Sequence, residues 1–111
     1  MRLSLALTVA TLALTATVAR AENWVVVVDD EIGASVDRDS IRRGSDGLVY
    51  FTVEYADKSD DAVNCQTATV YTLKLYAMDG YDHPNWRNEG RQIVPGSVGD
   101  AVYQYVCANA P

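Results

Sequence analysis

Leu48-Val49-Tyr50-Phe51-Thr52-Val53-Glu54-Tyr55 places apolar side chains at every odd position, while the even side carries Thr52 and Glu54 beside Leu48 and Tyr50. Side chains on a strand alternate between faces, so this period of two predicts a β-strand with one buried face. Immediately upstream, Gly44-Ser45-Asp46-Gly47 carries an Asp-Gly pair that suggests a hairpin turn. Before it, Asp39-Ser40-Ile41 with Arg42 and Arg43 reads as a helical turn or tight corner, and Ser35-Val36-Asp37 as a short extended piece. Trp24-Val25-Val26-Val27-Val28 is β-branched on both faces and predicts a central strand covered on both sides. Asp29-Asp30-Glu31 with Gly33 makes the polar turn that follows it.

Downstream, Asp57-Lys58-Ser59-Asp60-Asp61 reads as a charged loop, and residues 63–78 as one long strand, or two with a bulge near Cys65 to Thr67. In that strand Tyr71, Leu73, Leu75 and Ala77 make one face and Thr72, Lys74 and Tyr76 the other. Residues 79–90 hold Pro84, Asn85, Asn88 and two glycines, a loop that presents Tyr81, His83, Trp86 and Arg87. Gln92-Ile93-Val94 predicts a short edge strand stopped by Pro95-Gly96. Ser97 with Asp100 then has the spacing of a capping box with Asp in place of Glu. Val98, Ala101, Val102, Tyr105 and Val106 recur at helical spacing, so the chain is expected to end in an amphipathic helix. These elements give an α+β fold: a small antiparallel β-sheet with a C-terminal α-helix packed on it.

The first 21 residues have the order of an export signal. Arg2 is followed by an uncharged stretch from Leu3 to Val18, diluted by Ser4 and four threonines, and then by Ala19-Arg20-Ala21, an A-x-A cleavage site. Residues 1–21 are therefore expected to be a signal peptide and 22–111 a single mature domain without a membrane span. No Cys stands at Glu22 to accept a lipid. Of the 9 basic side chains, Arg2 and Arg20 leave with the signal, so 7 face 15 acidic ones, a net charge of −8. A field of that sign repels nucleic acid and anionic headgroups. The expected locations are the periplasm, the cell surface or the medium.

Both cysteines, Cys65 and Cys107, lie in the mature part, and an oxidising compartment favours their pairing into one disulfide. The alternatives are free thiols or a bridge between chains. An intramolecular bridge would fasten the last turn of the helix to the sheet. A domain of roughly 90 residues has only a marginally large core, where such a staple matters.

Enzymatic signals are missing. There is no HExxH, CxxC, G-x-S-x-G or Gly-rich phosphate loop, and the one histidine, His83, reads as a solvated loop side chain. The acidic runs at 29–31 and 57–61 lack the spaced ligands of a calcium loop and read as solvated turns. No catalytic residue, cofactor or metal is expected. Seven tyrosines and two tryptophans are many for this length. Tyr50, Tyr71 and Tyr105 read as packing residues, while Tyr81, Trp86 and Arg87 are the candidate partner-binding residues, because exposed aromatic and Arg side chains anchor interfaces, the alternative surface being the exposed sheet face near Lys74 and Tyr76 should Tyr81 and Trp86 belong to the core.

Trp24 at the start of the first strand, the run Val36-Asp37-Arg38-Asp39-Ser40-Ile41-Arg42-Arg43, the strand at Cys65, Pro95-Gly96-Ser97 and Cys107 in a terminal helix together resemble the surface-adhesin protein E family of Gram-negative bacteria. The resemblance covers nearly the whole mature chain. It implies an antiparallel sheet with a C-terminal helix against it, and an exported, non-catalytic domain that binds a protein such as a host extracellular-matrix or serum protein. The alternative expectation is a periplasmic inhibitor of a cationic hydrolase such as lysozyme, whose approach a charge of −8 would steer.

Overall fold

The computed structural model of the chain describes residues 22–78 and 81–111. The signal peptide expected over 1–21 lies outside the described residues, as do the side chains of Met78 and Tyr81. Strand β1 spans Trp24–Val28, β2 Ala34–Arg43, β3 Val49–Glu54, β4 Lys58–Asn64 and β5 Thr69–Leu75. Two short strands, β6 (Tyr81–Asp82) and β7 (Arg91–Gln92), precede the helix α1, Val98–Ala108. The sheet is an antiparallel meander in the order β1-β2-β3-β4-β5-β6, and β7 also pairs with β5, so that β6 and β7 cover the same side of that strand. The fold is the expected α+β arrangement, with α1 contacting β1, β2 and β3.

The alternation in β3 sets the two faces. Val49, Phe51 and Val53 are buried and face α1; Val63, Asp61 and Ser59 of β4 stand directly opposite them. Val36 of β2 joins this face, and Val102 and Val106 of α1 close over it. Each such fully buried valine contributes about 1.5–3 kcal/mol through removal of apolar surface from water. The helix starts where the capping residues place it: Ser97 Oγ accepts the Asp100 N–H at 3.1 Å, and the Asp100 carboxylate accepts the Gly96 N–H at 2.9 Å. At the other end a disulfide joins Cys107 to Cys65, with Cα atoms 5.9 Å apart, and the Tyr103 hydroxyl donates to the Cys65 carbonyl at 2.9 Å.

Five local expectations are corrected. β1 is not central but at the edge of the sheet, and Val26 is 63% exposed. Val27 and Val28 pack on the core, while on the other face Lys58 lies over the Trp24 ring and Val26 is left exposed, so a run of valines reports strand propensity and not position. The expected corner at Asp39 to Ile41 is continuous strand with a bulge between Asp37 and Arg42. Ser40 supplies the missing ladder contacts, its hydroxyl donating to the Asp37 carbonyl at 2.6 Å and accepting the Thr52 N–H at 2.8 Å.

The charged segment at Lys58 to Asp61 is not a loop but the first half of β4. Asp60 and Asp61 point to opposite faces and each accepts side-chain hydrogen bonds, which is what lets a strand carry them. The break near Cys65 is a full reversal and not a bulge. Asn64 Oδ1 accepts the N–H groups of Gln66 and Thr67, and Ala68 takes the left-handed φ of 54° that closes the turn. A bulge does occur, but one strand later: Asp60 pairs with Lys74 while Asp61 pairs with Thr72, leaving Leu73 extra. The alternation expected across Tyr71 to Tyr76 is therefore interrupted, and Tyr71 and Lys74 share the face away from the helix.

Candidate functional site

Because α1 occupies one face of the sheet, the other is where ordered side chains meet solvent. Direct register places Asp37, Thr52, Asp60, Lys74 and Asp82 in one row across β2 to β6 on this outer face. The next row is Tyr50, Ala62 and Tyr71, with Arg42 opposite Tyr50. One row is charged and the other aromatic, and the boundary between them is a cleft of about 270 Å³.

The aromatic side of the cleft is built by close backbone approach. Trp86, in a 3-10 turn at Trp86–Asn88, meets Tyr71 edge to face at 5.6 Å between ring centroids and Tyr50 at 6.2 Å. Ala62 beneath them is fully buried although it lies on the outer face. Gly90 makes this possible, since a Cβ there would stand 2.6 Å from the Tyr71 ring and 2.7 Å from Thr69. The ring stack is tied down by Asp46, whose carboxylate accepts from the Tyr50 hydroxyl and from Arg87 Nη1 at 3.1 Å. The Tyr50 contact holds the Asp46 carboxyl below its ordinary range, with the Leu48 N–H and Arg87 adding to the effect.

On the charged side, Asp60 is the anchor. Its two carboxylate oxygens accept from Thr52 Oγ1 at 2.7 Å and from the Tyr76 hydroxyl at 2.9 Å. Burial, and then the hydrogen bond to Asp60, push the Tyr76 hydroxyl above its ordinary value. Three cations lean on the rings: Arg42 over Tyr50 at 4.8 Å, and Lys58 and Lys74 over Tyr76 at 4.7 and 5.0 Å. Lys58 is also paired to Glu22 at 3.1 Å, whereas Arg42 and Lys74 make no ion pair among the described residues. The cleft thus offers the cations of Arg42 and Lys74, the carboxylates of Asp60 and Asp82 and aromatic walls, a recognition chemistry.

The candidate partner-binding residues are placed differently from one another. Trp86 is half-buried on the sheet, and Arg87 is exposed at its side, stacked over the Trp86 ring at 4.2 Å. Tyr81 pairs through its backbone with Leu75, and its side chain lies outside the described residues. His83 Nε2 stands 3.4 Å from Glu89. Arg42, Lys74 and Tyr76 line the cleft; the face of Lys74 and Tyr76 was the alternative binding surface from sequence, but Arg42 and the register that sets it beside them were not visible there. Each edge-to-face pair of Trp86 carries about 0.5–1.5 kcal/mol beyond area burial. Trp86→Ala is therefore expected to lower stability by about 2 kcal/mol in urea unfolding, and a change below about 0.5 kcal/mol would show the ring to be an exposed contact residue instead.

Comparison with family models, with curated proteins and with solved structures finds no match for this chain. Among the described residues no group of His, Cys, Asp or Glu is arranged to hold a metal ion, and no helix is long and apolar enough to cross a membrane.

Proposed function

We propose that the chain is an exported, non-catalytic binding domain of the surface-adhesin protein E type, which engages a protein partner through the outer face of its sheet. The observation that carries this reading is the cleft between Tyr50 and Tyr76, with Arg42 and Lys74 at its walls making no ion pair among the described residues, on the face that the helix leaves open. Aromatic and Arg side chains held rigid before binding lose little conformational entropy in an interface, which is why they dominate interface energies. The partner class is a host extracellular-matrix or serum protein. Inhibition of a cationic hydrolase such as lysozyme is the second reading, favoured by the net charge of −8 expected for residues 22–111 and by Asp60 and Asp82 in the lining of the cleft.

The test is binding of the exported protein to immobilised matrix and serum proteins and to a basic lysozyme, at low and high salt. Arg42→Glu with Lys74→Glu should weaken the matrix or serum complex at least about tenfold, because both cations meet the partner there, with little change in the unfolding midpoint. An unchanged affinity removes the cleft from the reading. Lysozyme inhibition whose on-rate collapses with salt favours the second reading over the first.

A further inference from the structure

We propose that the open edge of β1 docks an extended segment of another protein, apolar at its centre and basic at its ends. The two edges of the sheet are unlike. On the far side, β5 is covered by β6 at Lys74 and Leu75 and by β7 at Thr69 and Val70. β1 pairs only with β2, and no described residue pairs with its other side. The Arg38 N–H donates to the Asn23 carbonyl at 2.8 Å, which puts the backbone of Asn23 and Val25 on the β2 side. By the alternation of an antiparallel ladder, the N–H and C=O groups of Trp24 and Val26 point outward, toward solvent.

Natural edges are blunted by Pro, by charged side chains such as Lys, by brevity and by bulges that twist the strand away. Trp24-Val25-Val26-Val27-Val28 is short but holds no Pro and no charged side chain, and its one bulge falls after Val26, which leaves Trp24 to Val26 in regular register. Val26, with its backbone turned outward, is also 63% exposed, and Ile32 in the following turn is 70% exposed. An incoming strand would gain main-chain hydrogen bonds at Trp24 and Val26 and an apolar contact on Val26, the basis of recognition by strand addition.

Charge selects the occupant. Glu22 stands before β1, and Asp29, Asp30 and Glu31 stand after it. A two-fold antiparallel pairing of two copies centred on Val26 would set Glu22 of each against Asp30 of the other, between chains of net charge −8. The acidic ends that repel a second copy attract lysine or arginine at the ends of a foreign strand, and specificity of this kind rests on both effects. The inference concerns the edge and not the cleft, so the two fail separately.

The experiment uses the isotope-labelled exported protein and a short synthetic peptide of alternating threonine and valine with two lysines at each end. Slowed amide exchange at Trp24 and Val26, with an affinity at least about tenfold above that of the same peptide ending in glutamates, is the expected result. A peptide N-methylated at alternate residues, which leaves the protein unaltered, should not bind. Val26→Pro should also abolish binding, and because that N–H points outward the substitution leaves the β1–β2 ladder intact. Binding that survives N-methylation, maps to the cleft, or is equal for the two peptide ends overturns the proposal. So does a concentration-dependent dimer whose interface is β1.

Discussion

Replacing both cysteines, Cys65→Ser with Cys107→Ser, is expected to remove about 4 kcal/mol of stability, the loop-closure entropy of a crosslink spanning 42 residues. A domain of this size is stable by only about 5–15 kcal/mol, so the loss is a large fraction of the whole. At about 4–8 °C per kcal/mol the melting temperature should fall on the order of 20 °C. The bridge also has a local task. It ties the last turn of α1 to the β4–β5 turn, while the first turn is held by Ser97 and the middle by Val102 and Val106. Amide exchange in the double variant should therefore speed up most in the last turn of α1, ahead of the sheet. A melting temperature within a few degrees of the parent would mean that the packing of Val102 and Val106 alone docks the helix.

The parts of this fold that were legible in the sequence are those where one local rule acts alone. β3 showed its two faces because Val49, Phe51 and Val53 alternate with polar or amphipathic neighbours, and the helix showed both its Ser97 cap and its apolar stripe. The pairing of Cys65 with Cys107 was legible as the single intramolecular bridge open to the chain. What stayed hidden depends on register. Asp57 to Asp61 reads as a loop by charge, yet β4 begins at Lys58 because Ser59 and Asp61 fall opposite Val53 and Phe51 while Asp60 reaches Thr52 and Tyr76 on the other face. The cleft was hidden for the same reason. Arg42 lies some thirty residues from Lys74 and Tyr76 in sequence, and the bulge at Leu73 that turns Lys74 toward Asp60 leaves no local signature. β1 misled in the opposite direction, since four valines are equally at home at a centre or at an edge with one face on a core.

Asp61→Asn is expected to stabilise the protein by about 2 kcal/mol near neutral pH, the reverse of what removing a hydrogen-bonded carboxylate at a surface would do. Asp61 is 4% exposed on the helix side of the sheet, opposite Phe51, and accepts from Ser59 Oγ at 2.9 Å. Burial pushes its carboxyl up to about 6, against the opposing pull of Ser59, Arg91 and Thr72, while Asp60 adds to the rise. The neighbouring Tyr55 hydroxyl is pushed up to about 12 by its own burial first and by the charge of Asp61 second. An acid whose value is raised on folding binds its proton more tightly in the native state, so stability falls as pH rises from about 4, its unfolded value, to about 6 and stays low above that.

Going from about pH 7.5 to about pH 4.5 should therefore add roughly 2 kcal/mol to the parent protein through this group. Relief of self-repulsion in an acidic chain adds to both proteins alike, so the difference between parent and Asp61→Asn isolates Asp61. Asparagine keeps an acceptor for Ser59 and is neutral at every pH, and the variant's stability should be flatter across this window by that amount. Urea unfolding at a series of pH values decides it. Should the variant be less stable than the parent at neutral pH and keep the same slope, the carboxylate is ionised in the core and held there by Arg91, whose guanidinium lies 3.1 Å from Thr72 Oγ1.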